Sequence, residues 1–312
     1  VSRAHVLVIG EALVDIVHRA GGRVDEAPGG SPANVALALG RLGDSPRLLT
    51  QLGDDAHGRR IREWLAESDV EVLSAPAPRT ATATARLDAD GSARYEFDIT
   101  WTLDGTDTTK IAASGASIVH TGSIAALLDP GADAVRSILT ALRTSSLITY
   151  DPNVRPAMLP DRDRARHEVE SFVGLADLVK ASDEDLAWLY PGTDPLEMAW
   201  AWLNTGPAVV VVTTGAGGAF AVSRAGVVRV RGVRADVVDT VGAGDTFMSA
   251  LIHGLIETGF SGLAARERLR RIDTNAVAGL LALGARAATI TVSRPGADPP
   301  RLAELLAAPF SH

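Results

Sequence analysis

The chain has 312 residues, 46% of them apolar, a mean hydropathy of +0.13 and a formal charge of −8. That length supports a full hydrophobic core. The acidic balance speaks against a general nucleic-acid or anionic-membrane binder, while a small anion held by local N–H groups and a few cations stays open. There is no cysteine, which removes disulfides, thiolate catalysis and Cys-based zinc sites and is compatible with the reducing cytoplasm expected here.

In chain order, Val6–Gly10 is a short continuous apolar run ending in Gly and predicts a buried parallel strand, with no signal-peptide architecture before it. Residues 12–28 turn amphipathic, with Gly21–Gly22 as a hairpin turn. Gly29-Gly30-Ser31-Pro32-Ala33-Asn34 opens a helix over Val35–Leu42, with Pro32 suited to its first turn. A strand over 47–52 and a helix over 56–67 follow. Two alternating segments within 80–99, joined by Asp88-Ala89-Asp90-Gly91, read as a hairpin. From Ser117 the pattern becomes regular: strands at 118–120, 147–150, 178–179 and 209–213, helices at 133–142, 162–173 and 183–189. A hairpin over 218–230 precedes helices at 244–257, 264–283 and 302–307. This alternation implies βαβ units and a mostly parallel sheet covered on both faces. The segments 12–28 and 80–99 fall outside it and are expected to pair into a small β-sheet lid. The longest unbroken apolar runs, such as Ala208–Val212, fall far short of the ~20 residues of a membrane helix.

In such folds ligands bind outside the carboxyl ends of the strands, and polar residues collect there. Gly10-Glu11 and Asp15 follow the first strand, and Gly29, Gly30 and Asn34 stand at the next helix. Asp151-Pro152-Asn153 with Arg155, then Lys180, then Thr213 with Gly215 and Gly218, follow later strands. Asp15 and Asn34 are residue types that hold sugar hydroxyls through paired hydrogen bonds. Each also has a plain structural reading, as a surface carboxylate, an Asx turn or a turn glycine. Lys110 and Lys180 are the chain's two lysines, and neither stands in a Gly-Lys-Ser/Thr loop, so the Walker motif is missing. No Gly-x-Gly-x-x-Gly follows the first strand, and no His-Glu-x-x-His or Gly-x-Ser-x-Gly occurs.

What stands out is Asp239-Thr240-Val241-Gly242-Ala243-Gly244-Asp245-Thr246-Phe247. A glycine turn at a helix start presents unpartnered N–H groups and the positive end of the helix dipole, a site for an anion. Asp245 at its rim has two readings: a proton acceptor for a nucleophile attacking that anion, or a helix cap shared with Asp239.

From Gly10 to Pro299 the chain resembles the ribokinase-like (PfkB) carbohydrate kinases, and within them the fructokinase-like branch. Residues Gly29–Ala36 and Asp239–Phe247 are similar to the family's two signatures. Leu52-Gly53-Asp54-Asp55 with Gly58, Asp151-Pro152-Asn153 with Arg155, Thr213-Thr214-Gly215 and Arg294-Pro295-Gly296-Ala297 are supporting pieces. The resemblance implies one ribokinase-like α/β domain over 1–312, a three-layer sandwich with a mostly parallel sheet, with the lid formed by 12–28 and 80–99. It implies phosphorylation of a primary hydroxyl of a sugar by ATP with Mg²⁺, a K⁺ site, and a homodimer contact through the lid. D-fructose is the expected sugar. A 2-dehydro-3-deoxygluconokinase, with Arg86, Arg94 or Arg155 meeting the substrate carboxylate, is the alternative. A non-catalytic sugar or nucleotide sensor is the reading of a different class.

By the same carry-over, Asp245 is the base, with Gly242, Ala243 and Gly244 cradling the transferred phosphate. Asp15, Gly29, Gly30, Asn34 and Arg155 hold the sugar; Lys180, Thr213, Gly215, Gly218 and Gly244 serve the nucleotide. Asp239 matches the monovalent-cation site. Two departures stand out. Where the family often has Asn-x-x-Glu near the magnesium, this chain has Ser182-Asp183-Glu184-Asp185, so Glu184 and Asp185 are the candidates there. The run from Thr274 to Gly284 is also longer than usual, and Asn275 is not assigned to the adenine.

Overall fold

The computed structural model describes residues 5–19, 22–87, 93–106, 111, 115–233, 235–261 and 263–307; the side chains of 87, 93–95, 263 and 264 lie outside that description. The expected turns at Gly21–Gly22 and Asp88–Gly91, and the Arg94 side chain, therefore fall outside it wholly or in part.

The strands are β1 (Val6–Ile9), β2 (Leu13–His18), β3 (Val24–Gly29), β4 (Arg47–Gly53), β5 (Glu71–Ala77), β6 (Thr82–Leu87), β7 (Ala93–Asp98), β8 (Ile118–Gly122), β9 (Leu147–Asp151), β10 (Leu178–Ser182), β11 (Val209–Thr213), β12 (Ala219–Ser223) and β13 (Gly226–Val230). The helices are α1 (Ser31–Arg41), α2 (Ala56–Ala66), α3 (Gly131–Leu142), α4 (Arg162–Leu175), α5 (Asp183–Leu189), α6 (Pro195–Leu203), α7 (Ala243–Glu257), α8 (Leu263–Leu269), α9 (Thr274–Val292) and α10 (Leu302–Ala307).

Nine strands form one sheet in the order β13-β12-β11-β10-β9-β8-β1-β4-β5. Pairing is parallel from β11 to β5 and antiparallel only where β12 and β13 are added. Central strands such as Val6-Leu7-Val8-Ile9 are buried on both faces, as unbroken apolar runs require. On one face Val6, Val8, Leu147 and Leu178 pack with Val35 and Leu39 of α1, Phe247 and Leu251 of α7 and Leu281 of α9. On the other, Leu7, Ile9, Ile148 and Val179 pack with Leu139 of α3, Phe172 of α4, Leu186 of α5 and Trp202 of α6. Three layers result, and all the parallel strands deliver their carboxyl ends to one side.

The second sheet has the order β3-β2-β6-β7, with β2 parallel to β6 and the outer pairs antiparallel. Segments far apart in sequence thus join as expected. Three elements depart from the sequence reading. β5 was not foreseen: at the sheet edge, paired with β4 alone, its Pro76 interrupts no second ladder. α6 also escaped, although Asp194 caps it by accepting from Leu196 N–H and Glu197 N–H, with Pro195 next. The single helix expected over 264–283 is two, because Asp273 accepts from Ala276 N–H at 2.8 Å and starts α9 afresh; α9 then runs on to Val292. By length and composition alone α9 is long and apolar enough to cross a membrane, although polar residues interrupt its apolar runs. It packs along α7, with Val277, Leu280, Leu281 and Ala285 buried.

Candidate active site

The site lies where α1 and α7 begin, over the ends of β1, β9 and β10. Gly242 starts α7 from a left-handed conformation, φ 74°, that favours glycine. No side chain caps the helix; Ala243 N–H makes a long bond, 3.3 Å, to the Thr240 carbonyl, and the rest of the first turn is open to an anion.

Asp245 is 5% exposed, and its carboxylate turns away from those N–H groups. Oδ1 accepts from Ser31 Oγ at 2.7 Å and from Asn153 Nδ2 at 3.2 Å; Oδ2 accepts from Asn34 Nδ2 at 2.8 Å. Helix capping is therefore not what Asp245 does. Asp239 behaves differently: its carboxylate accepts from Val241 N–H at 3.0 Å and from Gly296 N–H at 2.9 Å, tying the loop before α7 to the loop after α9.

Beneath α7 lies a buried ion pair. Lys180 Nζ donates to Asp151 Oδ2 at 2.7 Å, with the side chains 4% and 0% exposed. Burial opposes the Lys180 charge, but Asp151, Asp185 and Asp245 outweigh it and raise its pKa. Burial pushes Asp151 up to about 6 against the pull of Lys180. A methyl group on Gly244 would lie 3.0 Å from Lys180 Nζ; the glycine lets the ammonium approach the first turn of the helix. Asp151 Oδ1 is buried without a partner, and so is Asn34 Oδ1.

The polar wall opposite carries Asp15 on β2. Burial raises its pKa to about 6, with Arg155 acting in the other sense. Gly29 makes room for it, since a side chain there would meet Asp15 Oδ2. Gly30, at φ 102°, passes the Glu11 carbonyl too closely for a Cβ. Glu11 itself is buried and raised to about 7 by burial, its Oε2 accepting from Ala125 N–H at 3.1 Å. Arg155 is exposed beside an apolar hollow lined by Ile124, Leu127, Leu128, Met158 and Leu159, and its guanidinium donates to Asn153 Oδ1.

On the far side, Thr213 ends β11, and Gly215 and Gly218 bracket the short turn into β12. Asp185 has both carboxylate oxygens engaged by backbone, Oδ2 with Ser182 N–H and Oδ1 with Val154 N–H, whereas Glu184 is exposed. Among the described residues no group of three or more His, Cys, Asp or Glu side chains gathers as a metal cage. Magnesium bound through a nucleotide needs only one or two carboxylates, so this donor set fits it.

The structure thus joins Asp245, Asn34, Gly242–Gly244 and Lys180 at one end of the sheet. Three members of the cluster escaped assignment from sequence. Ser31 lay inside a recognised motif, Asn153 read as a turn residue, and Asp151 shows its value only through Lys180, 29 positions away.

A model of the pfkB family carbohydrate kinases matches residues 3–303. The fructokinase of Klebsiella pneumoniae is 34% identical over 265 residues, 81% of this chain and 85% of that one. The Escherichia coli fructokinase is 30% identical over 292 residues, 91% of this chain and 95% of that one. Among solved structures, the Xylella fastidiosa fructokinase with bound ATP superposes with a TM-score of 0.85 at 24% identity, covering 97% of each chain. A double mutant of the Vibrio cholerae O395 fructokinase, bound to fructose, ADP and potassium ion, gives a TM-score of 0.81 at 25% identity, covering 98% of each.

Proposed function

The chain belongs to the pfkB family of carbohydrate kinases and is an ATP-dependent sugar kinase, and we propose that its sugar is D-fructose, phosphorylated on a primary hydroxyl with Mg·ATP as donor. The observation that carries the reading is the Asp245 carboxylate at the rim of an uncapped helix N-terminus. A sensor needs the anion site but has no use for a base beside it. The curated relatives that are fructokinases supply the choice of sugar.

In this reading Asp245 accepts the proton of the sugar hydroxyl as its oxygen bonds to the γ-phosphorus and the bridging oxygen of ADP leaves with its electron pair. Gly242, Ala243 and Gly244 offer N–H groups to the phosphoryl oxygens, and the Lys180 ammonium adds positive charge there. Phosphoryl transfer is carried by positioning and charge stabilisation of this kind, and a positioned base adds a factor of about 10²–10⁴. Asp15, Gly29, Gly30, Asn34 and Arg155 face the sugar. The unpartnered Asn34 Oδ1 is a buried acceptor suited to a hydroxyl donor. Thr213, Gly215 and Gly218 line the nucleotide, the exposed Glu184 stands toward the magnesium with Asp185 held by backbone N–H groups behind it, and Asp239 stands toward a potassium ion. The lid sheet, open along β3, is the surface for a homodimer contact.

An ADP-release assay against fructose, ribose, 2-dehydro-3-deoxygluconate and adenosine tests the substrate, with fructose expected to give the highest kcat/KM. Turnover confined to 2-dehydro-3-deoxygluconate would transfer Arg155 to a substrate carboxylate and overturn the choice of fructose. Asp245→Asn is expected to keep ATP binding and lose nearly all turnover; wild-type-like turnover would remove the base.

A further inference from the structure

We infer that Asn153 is a positioning residue for Asp245, held in place by the Ser182–Asp185 cap of α5; the inference rests on the reading of Asp245 as the base. Asn153 Nδ2 donates to Ser31 Oγ at 2.8 Å and to Asp245 Oδ1 at 3.2 Å. Its amide oxygen accepts from Arg155 Nη1 at 2.5 Å. That bond decides which way the amide faces, because an oxygen turned toward Arg155 leaves the NH₂ turned toward the carboxylate. Ser31 completes a triangle, accepting from Asn153 and donating to Asp245 Oδ1 at 2.7 Å.

The backbone at Asn153 is equally specific. Its φ of 37° lies in the left-handed region, which Asn enters more readily than most residues. The next N–H, that of Val154, donates to Asp185 Oδ1 at 2.8 Å. The other oxygen of Asp185 accepts from Ser182 N–H at 2.9 Å, and Asp185 N–H donates to Ser182 Oγ at 3.0 Å. One carboxylate thus caps α5 and anchors the loop that carries Asn153. In this chain the Ser-x-x-Asp pattern connects to the base through protein hydrogen bonds.

The consequence for catalysis is a choice of oxygen. Asp245 Oδ1 carries two donors, Ser31 and Asn153, whereas Oδ2 carries one, Asn34. Oδ2 keeps the lone-pair capacity to take the proton, and Asn153 with Ser31 fixes the carboxylate plane so that it faces the hydroxyl. A base displaced by an ångström loses on the order of 10² in rate.

The test uses wild type, Asn153→Gly, Asp245→Asn and the double variant, assayed with magnesium, ATP and the sugar turned over in the panel above, alongside nucleotide titration and thermal melting. Glycine accepts the left-handed backbone and removes only the side chain. The expected result is a kcat about 10–100-fold lower in Asn153→Gly. KM for ATP, nucleotide affinity and the melting midpoint should stay near wild type, and the double variant should be no slower than Asp245→Asn. A near-wild-type kcat in Asn153→Gly beside an inactive Asp245→Asn overturns the positioning role and leaves the base standing. Losses of nucleotide affinity or melting midpoint that parallel kcat make Asn153 a scaffold residue and also overturn it. An active Asp245→Asn removes the base and the inference together. As a second variant, Asp185→Asn is expected to lower kcat with an unchanged magnesium requirement; a raised requirement assigns Asp185 to the metal instead.

Discussion

Lys180 and Asp151 are an ion pair cut off from solvent, and such a pair is worth most when neither partner is removed alone. Lys180→Met leaves Asp151 buried and unpaired, which costs about 3–5 kcal/mol. Adding Asp151→Asn removes the orphaned charge, so the double variant is expected to recover most of the stability in urea denaturation. It should not recover the rate, because the ammonium, 3.0 Å from where a Cβ would stand at Gly244, also places a positive charge beside the proposed phosphoryl site. A loss of about 10²-fold in kcat should persist, the scale of one lost electrostatic donor. Full recovery of rate in the double variant would limit Lys180 to pairing. At this scale the sequence marked residue types well and partners poorly. Asp245 and Asn34 were named from their motifs, but their 2.8 Å contact joins residues 211 positions apart. Ser31 and Asn153 lay inside motifs of the resemblance, but neither was given a role there.

The element on which most depends is α7, which begins at the anion site and ends against the turn after α1. There His253 Nδ1 meets Asp44 Oδ2 at 2.9 Å, with both side chains largely buried. Burial opposes the imidazolium, but the hydrogen bond and charge of Asp44 prevail and raise its pKa above the ordinary value. A raised folded pKa binds the proton more tightly in the native state. The stabilisation is therefore complete below the unfolded pKa of about 6.5 and fades as pH rises through the folded value. Wild type should exceed His253→Gln in stability by more at about pH 6 than at about pH 9, measured by denaturant unfolding. An equal gap at both pH values would mean that the pair contributes through packing alone. Helices and strands of strong periodicity were legible in the sequence. The edge strand β5 was not, because its right to carry Pro76 comes from having one neighbour. The break between α8 and α9 rests on one capping aspartate inside an otherwise continuous apolar pattern.

Across the whole molecule, the four-stranded second sheet, proposed as a lid, is joined to the main body by chain entering through β2, β3, β6 and β7, and β2 brings Asp15 to the proposed sugar side. We expect sugar and nucleotide together to close it, seen as slower amide hydrogen exchange over 13–18, 24–29 and 82–87, with little change over 6–9. Unchanged lid exchange with both ligands bound would leave a static wall there. The sequence by itself determined the layered α/β architecture, the pairing of two distant hairpin-like segments and the glycine turn at Gly242–Gly244 that opens α7, because hydrophobic periodicity and glycine placement act locally and repeat along the chain. Only the tertiary structure decided that Asp245 is no cap, that Ser31, Asn34 and Asn153 share its two oxygens, and that Asp151 holds Lys180. Those contacts depend on strand order and on where each strand ends, and a hydrogen bond between residues a hundred or two hundred positions apart leaves no periodic trace in a single chain.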